Sequence, residues 1–407
     1  MKHIVFVIGY YLPEAGSTSL CAIKVMNDLY NRYDVSISCV CGTTGIQGVE
    51  NKDNKDIYRI HHITYTDSFD KVQTKFEQYY TKVHKTINDI MNLRYYPDMD
   101  RGYSQSIYTI LNKIEKTKHI DCIVAVYMPK QTISGVLMFK EKNPGVHTIA
   151  YFIDTLRSNK PRFLPLSIHT KMLDIYENVI FDNFDKIILM KYGYAYYSKY
   201  LCKKYSNKIH YLGLPSLELM NLKHKNSIGL KCSYIGTTYS DIRNPIYAMK
   251  VFEMANRKDN RILLQIYGPS NMKIEMMNWQ IHHSQSFYYH DFISHEEIIN
   301  VYEDTDYIVS IGNRLKGVVP GKTFEIFGTL KPIIHFTDVL NDSSLEFIKK
   351  YPNVCIINYD MSVEEAADCL LDFFKKPYHL CDFRSIEKIF YFAKPDAVSD
   401  LIYEAIE

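Results

Sequence analysis

Short apolar runs, rich in β-branched and aromatic residues, alternate along this chain with longer amphipathic stretches, and that rhythm admits few folds. The runs cover residues 3–8, 35–40, 120–126, 147–152, 186–189 and 208–212. Between them, residues 17–30, 69–91, 103–116, 130–141, 168–181 and 192–204 carry the helical period. Strands that alternate with helices form βαβ units and a parallel sheet. Runs with little polar alternation suit a sheet covered on both faces.

The rhythm breaks at residues 214–230 and then restarts. Strands are expected at 231–235, 261–267, 286–289, 307–310, 332–336 and 353–357, with helices at 244–255, 295–302, 322–329, 344–350 and 363–374. Ser294 with Glu297, and Ser362 with Glu365, have the spacing of capping boxes and mark two helix starts. A length of 407 residues exceeds one compact core. The expected organisation is therefore a Rossmann-like domain over 1–213, a linker over 214–230, a second Rossmann-like domain over 231–384, and helices over 385–407 that cross back to the first domain.

Composition narrows the function. A formal net charge of +2 argues against a dedicated nucleic-acid binder, which needs a basic face. The nine cysteines form no CxxC pair and no zinc spacing, and those at 39, 41 and 355 sit in apolar runs as small core residues. No stretch reaches the ~18 apolar residues of a membrane span, and the opening run reads as a strand, not a leader. These features predict a cytoplasmic protein, compatible with peripheral docking at the inner face of a membrane.

Residues 318–335 carry the most chemistry. A strand leads through a loop to a helix opening near Gly321, where free amides and the helix dipole favour an anion. Glycine lets a phosphate approach the backbone. Lys322 adds a full charge there, Thr323 follows it, and Glu325 stands one turn on, within reach of a ribose diol. Near the start of the second domain, Gly236 and Thr237 end a strand and Arg243 follows, suited to bidentate phosphate contact. Gly268 closes the next strand. In the first domain, Gly16 opens the helix after the first strand, and Asp154 follows a strand end, where such sheets place site residues.

The stretch Gly321-Lys-Thr-Phe-Glu-Ile-Phe-Gly-Thr-Leu-Lys-Pro-Ile-Ile334 resembles the donor motif of the family 4 glycosyltransferases, whose fold is GT-B, two Rossmann-like domains facing a cleft. The resemblance implies that Glu325 binds the donor ribose and that amides around Lys322 bind the diphosphate. Gly236, Arg243 and Gly268 fall where the family clamps the pyrophosphate and leads to the base, and Gly16 where its first loop faces phosphates or acceptor. Two family features are missing: a second Glu falls on Gly317, and no Lys stands beside Arg243. The implied function is transfer, with retention and without a metal, from a UDP- or GDP-type sugar to a glycan or lipid-linked acceptor in bacterial surface polysaccharide synthesis. Arg243, Lys322 and Asp154 would serve the reaction, with no cofactor. A nucleotide-sugar epimerase and a non-catalytic sugar-binding partner are the alternatives.

Two Asp-x-Asp triplets, 98–100 and 304–306, raise a metal-bound donor, but neither lies on a loop after a strand. The histidines at 282, 283, 290 and 295 lack ligand spacing and read as surface or packing groups.

Overall fold

The computed structural model describes residues 1–62, 83–154 (without 84, 85, 88, 89 and 92), 164–192, 199–223, 229–315, 317–376 and 381–407. The helix expected over 69–91 and the first part of that over 192–204 lie mostly outside them. The chain forms two compact units, one of residues 1–215 with 395–407 and one of residues 216–394.

Among the described residues the first unit is built on eight strands: β1 (Lys2–Tyr10), β2 (Val35–Thr43), β3 (Gly48–Lys52), β4 (Lys55–His61), β5 (Cys122–Tyr127), β6 (His147–Phe152), β7 (Lys186–Met190) and β8 (Ile209–Leu212). Their order is β3-β4-β2-β1-β5-β6-β7-β8. Helices α1 (Ser17–Arg32), α2 (Arg101–Thr117), α3 (Lys130–Lys142), α4 (Leu166–Asn183) and α5 (Lys199–Lys204) connect them. Strands β1, β5 and β6 are buried almost throughout, which explains their continuous apolar runs. The β3–β4 hairpin, absent from the sequence reading, is the antiparallel exception. Its turn places Asp53 and Asn54 at φ 51° and 60°, the left-handed pair a two-residue hairpin needs.

The second unit has an all-parallel sheet of β9 (Leu230–Ile235), β10 (Ile262–Tyr267), β11 (Phe287–His290), β12 (Tyr307–Ile311), β13 (Ile333–Thr337) and β14 (Val354–Asn358), ordered β11-β10-β9-β12-β13-β14. Its helices are α6 (Ile246–Lys258), α7 (Lys273–His282), α8 (His295–Asp304), α9 (Lys322–Phe327), α10 (Leu345–Ile348), α11 (Val363–Lys375) and α12 (Phe383–Phe390). Both capping boxes form: Ser294 and Ser362 accept from the amides of Glu297 and Glu365, whose carboxylates accept from the serine amides in return. Helix α7 escapes sequence reading because it buries little beyond Met276.

The chain's end divides. Phe390 of α12 packs on Phe327 at 4.8 Å within the second unit. The last helix, α13 (Pro395–Glu404), lies on α1, where Tyr403 stacks on Tyr33 at 4.1 Å and Asp400 meets Arg32 at 2.7 Å. Residues 216–223, read from sequence as linker, pack in the second unit, with the Met220 amide donating to the Gly328 carbonyl at 2.9 Å.

Each sheet has a point where its strand order reverses. In the first unit the chain passes from β1 to β2 on one side and later to β5 on the other. In the second, β10 and β11 lie on one side of β9 and β12 on the other. The crevice beyond the carboxyl ends at such a point is where open α/β sheets bind ligands.

Candidate functional site

The second unit has a pocket at its reversal point. Its wall comprises Tyr234 and Ile235 at the end of β9, residues 308–311 of β12, Arg243, Tyr302 of α8, and Pro320, Lys322, Thr323 and Ile326. Its empty space, including the mouth open to solvent, is about 380 Å³. Three residues singled out in the sequence, Arg243, Lys322 and Thr323, thus share one wall.

Helix α9 is held from behind. Phe324 and Phe327, one turn apart, are fully buried among Phe347, Tyr351 and Phe390. Lys322 and Glu325, also one turn apart, are in contact: the ammonium donates to Glu325 Oε1 at 2.7 Å. The Tyr302 hydroxyl donates to the same oxygen at 3.2 Å. Burial pushes the Tyr302 hydroxyl well above its ordinary pKa, and the Glu325 charge pushes the same way. Lys322 and Tyr302, rather than Glu325, form the wall. Oε1 of Glu325 is thus engaged within the protein itself. The helix covers six residues, shorter than the 322–329 expected. So short a helix has little dipole to offer, and fixed charges must supply most of the pocket's attraction for an anion.

Arg243 arrives on a loop pinned to its neighbour. Tyr239 and Arg243 exchange backbone hydrogen bonds at 3.2 and 3.1 Å, while Thr238 donates to Ser270 Oγ at 2.7 Å. The buried Nε of Arg243 has no hydrogen-bond partner among the described residues. A buried guanidinium donor without an acceptor is costly, and an anion in the pocket would satisfy it. The Tyr234 hydroxyl donates to the Thr237 carbonyl at 3.1 Å. Burial raises its pKa while Arg243 opposes the rise.

Gly236 and Gly268 end adjacent strands at φ 156° and 129°. A Cβ on Gly268 would lie 2.6 Å from the Gly236 carbonyl oxygen, so glycine there serves the fold. Among the described residues a Cβ at Gly321 would meet nothing within 4 Å, and the same holds at Gly16, which caps α1 in the first unit. Space beside both glycines is open. Asp154 lies exposed two residues beyond β6, also in the first unit. Gly317 takes φ 74° and its amide donates to Ser343 Oγ at 2.6 Å. A glutamate at 317 would be strained, which gives a backbone reason for the missing acid.

The Asp-x-Asp carboxylates are committed to the fold. Asp98 accepts from Ser104 at 2.7 Å, Asp100 caps α2, Asp304 pairs with Lys231 at 2.7 Å, and Asp306 accepts the Lys231 amide at 2.9 Å. His283 stacks on Trp279 at 4.3 Å and His290 on Tyr267 at 4.2 Å, both packing roles. Sequence reasoning missed Tyr234, Tyr302 and Ser310, because an aromatic or a serine on a core element carries no motif.

No protein-family model and no curated protein matches this chain. Solved structures do. A trehalose-6-phosphate structure from E. coli bound with UDP-2-fluoro glucose superposes with a TM-score of 0.58 at 10% identity, over 100% of this chain and 99% of that one. WaaG, a glycosyltransferase involved in lipopolysaccharide biosynthesis, gives 0.55 at 10% identity over 98% and 99%. S. aureus TarM, in complex with fondaparinux, alpha-GlcNAc-glycerol and UDP, gives 0.53 at 10% identity over 100% of both chains. The fold is GT-B, with two Rossmann-like units. At such identities the likeness establishes the fold.

Proposed function

We propose that the protein is a glycosyltransferase that uses a nucleotide-diphosphate sugar of UDP or GDP type and transfers the sugar with retention to a glycan or lipid-linked acceptor. The observation that carries this reading is the pocket at the reversal point of the second sheet. There Arg243, with an unsatisfied buried donor, and Lys322, braced by Glu325, stand on one wall. Two cations on one wall suit the paired charges of a diphosphate.

In the reaction the bond from the sugar's anomeric carbon to the β-phosphate oxygen breaks, and a bond from an acceptor hydroxyl forms. Negative charge grows on the departing diphosphate, where Arg243 and Lys322 stabilise it more strongly than in the ground state. The sugar passes through an oxocarbenium-like state. The acceptor hydroxyl's proton goes to the leaving phosphate oxygen, and attack on the same face keeps the anomeric configuration. The two side-chain cations take the part a divalent ion has elsewhere, Glu325 binds the ribose through its second oxygen, Gly321 lets the phosphate approach the backbone, and Thr237 and Thr323 donate to it, while Gly16 belongs to the first unit's own phosphate- or acceptor-facing loop. Asp154 belongs to the acceptor side. Bacterial surface polysaccharide synthesis is the proposed setting, with the protein in the cytoplasm or peripheral to its membrane. Among the described residues no helix is long and apolar enough to cross a membrane.

The test is a thermal-shift screen of nucleoside diphosphates and nucleotide sugars, followed by donor turnover measured with and without EDTA. A UDP- or GDP-type ligand should stabilise the protein, and turnover should survive EDTA. A ligand at a hundred times its Kd adds about 2.7 kcal/mol to stability, and at its Kd only about 0.4. Lys322→Ala and Glu325→Ala should lose most of the shift. An equal shift in both variants removes the site assignment, and absence of any nucleotide response removes the donor.

A further inference from the structure

The reversal point of the first sheet, between β1 and β5, holds a cation that the donor chemistry does not use. Lys130 stands three residues beyond the end of β5, on the side where parallel sheets receive ligands. The end of β1 bears directly on this segment: a Cβ on Gly9 would lie 3.0 Å from the Met128 carbonyl and 3.2 Å from Pro129. Lys130 is partly buried, and its ammonium sits 5.4 Å from the centre of the Tyr96 ring. Among the described residues it has no hydrogen-bond or ion-pair partner.

The groups around it explain why. Asp98, close by in the fold, is taken: Ser104 Oγ donates to one carboxylate oxygen at 2.7 Å and Gln131 Nε2 to the other at 3.1 Å. The Tyr96 hydroxyl is committed to His169 Nδ1 at 2.6 Å. Burial lowers the Lys130 pKa to about 8, and burial also raises that of Asp98. An ion pair between the two would shift both the other way. The lysine is thus a cation in a partly desolvated place with its charge unmatched among the described residues, a state an incoming anion relieves.

We propose that Lys130 recognises an anionic group on the acceptor, so that the co-substrate carries a phosphate or a carboxylate, with the Tyr96 face beside it. This rests on the glycosyl-transfer reading, whose second substrate it specifies. Lysine meets phosphate as a point charge on a mobile stem, which suits recognition of either oxyanion.

The experiment is isothermal titration of the full chain with three matched probes: methyl glucoside 6-phosphate, methyl glucuronide and neutral methyl glucoside. Four proteins are compared: wild type, Lys130→Gln, Lys130→Arg and the double variant Arg243→Ala/Lys322→Ala. Wild type should bind a charged probe at least tenfold more tightly than the neutral one, and the tighter of the two names phosphate or carboxylate as the source. Lys130→Gln should weaken the charged probe by about ten- to a hundredfold, the worth of a charge-assisted hydrogen bond, and leave the neutral one alone. Lys130→Arg should keep most of the preference. The double variant should bind the charged probe as wild type does, because its changes lie in the other unit. Equal affinity in Lys130→Gln and wild type, or no preference for charge in wild type, overturns the proposal. Failure of the nucleotide screen with this preference intact would remove the donor reading and leave an anion site; the reverse would remove only the acceptor assignment.

Discussion

Removing the carboxylate of Asp342 should unfold the second unit far more than its place outside the pocket suggests. Its side chain and that of His335 are fully buried. One oxygen accepts from His335 Nε2 at 2.7 Å and Thr337 Oγ1 at 2.9 Å, the other from the Ser344 amide at 2.8 Å and Ser344 Oγ at 2.6 Å. His335 Nδ1 in turn meets Ser310 Oγ, on the pocket wall, at 3.0 Å. Asp342→Ala strands four donors at once. A buried pair broken on one side costs about 3–5 kcal/mol, against the roughly 5–15 kcal/mol that holds a domain folded. Asp342→Asn keeps acceptors for Ser344 but turns an amide toward His335 and Thr337, at about 1–3 kcal/mol. The single tryptophan, Trp279, belongs to α7, so urea unfolding followed by its fluorescence reports on this unit alone. The midpoint should fall steeply in Asp342→Ala and less in Asp342→Asn, with little change in slope. His335 and the hydroxyl and amide donors hold the Asp342 pKa below the usual carboxylate range despite burial. A depressed native pKa means stability present above the unfolded value, about 3.9, and lost as pH falls through the native one. That acid-side loss should vanish in Asp342→Asn. An Asp342→Ala unfolding free energy within about 1 kcal/mol of wild type refutes the reasoning.

Gly268→Ala should destabilise the second unit by about 1–3 kcal/mol in the same assay, because its Cβ would press on the Gly236 carbonyl at 2.6 Å with φ at 129°. Gly321→Ala, with open space around it, should leave stability within about 0.5 kcal/mol but weaken nucleotide binding in the thermal-shift screen if phosphate approaches that backbone. Ser362→Ala removes the cap of α11 and should cost about 1 kcal/mol by urea midpoint, without touching nucleotide affinity.

Legible in the chain alone were the strand-and-helix rhythm of two α/β units, both capping boxes and the Gly321–Glu325 stretch. Each of these rests on local regularities: burial on both faces writes continuous apolar strands, Ser-x-x-Glu satisfies amides within one turn, and Gly-Lys-x-x-Glu is a single stretch of chain. Long-range folding brings Arg243 onto one wall with Lys322 and Thr323. Tyr234 and Ser310 face the pocket only because β9 and β12 pair across the reversal of the sheet, and Tyr302 meets Glu325 from a helix more than twenty residues earlier in the chain. Lys130 is conspicuous only where folding leaves it over Tyr96 with no counter-charge among the described residues, and Asp342 only where four donors converge on it. Periodicity records which face of an element is buried; it holds no record of which distant side chains meet there.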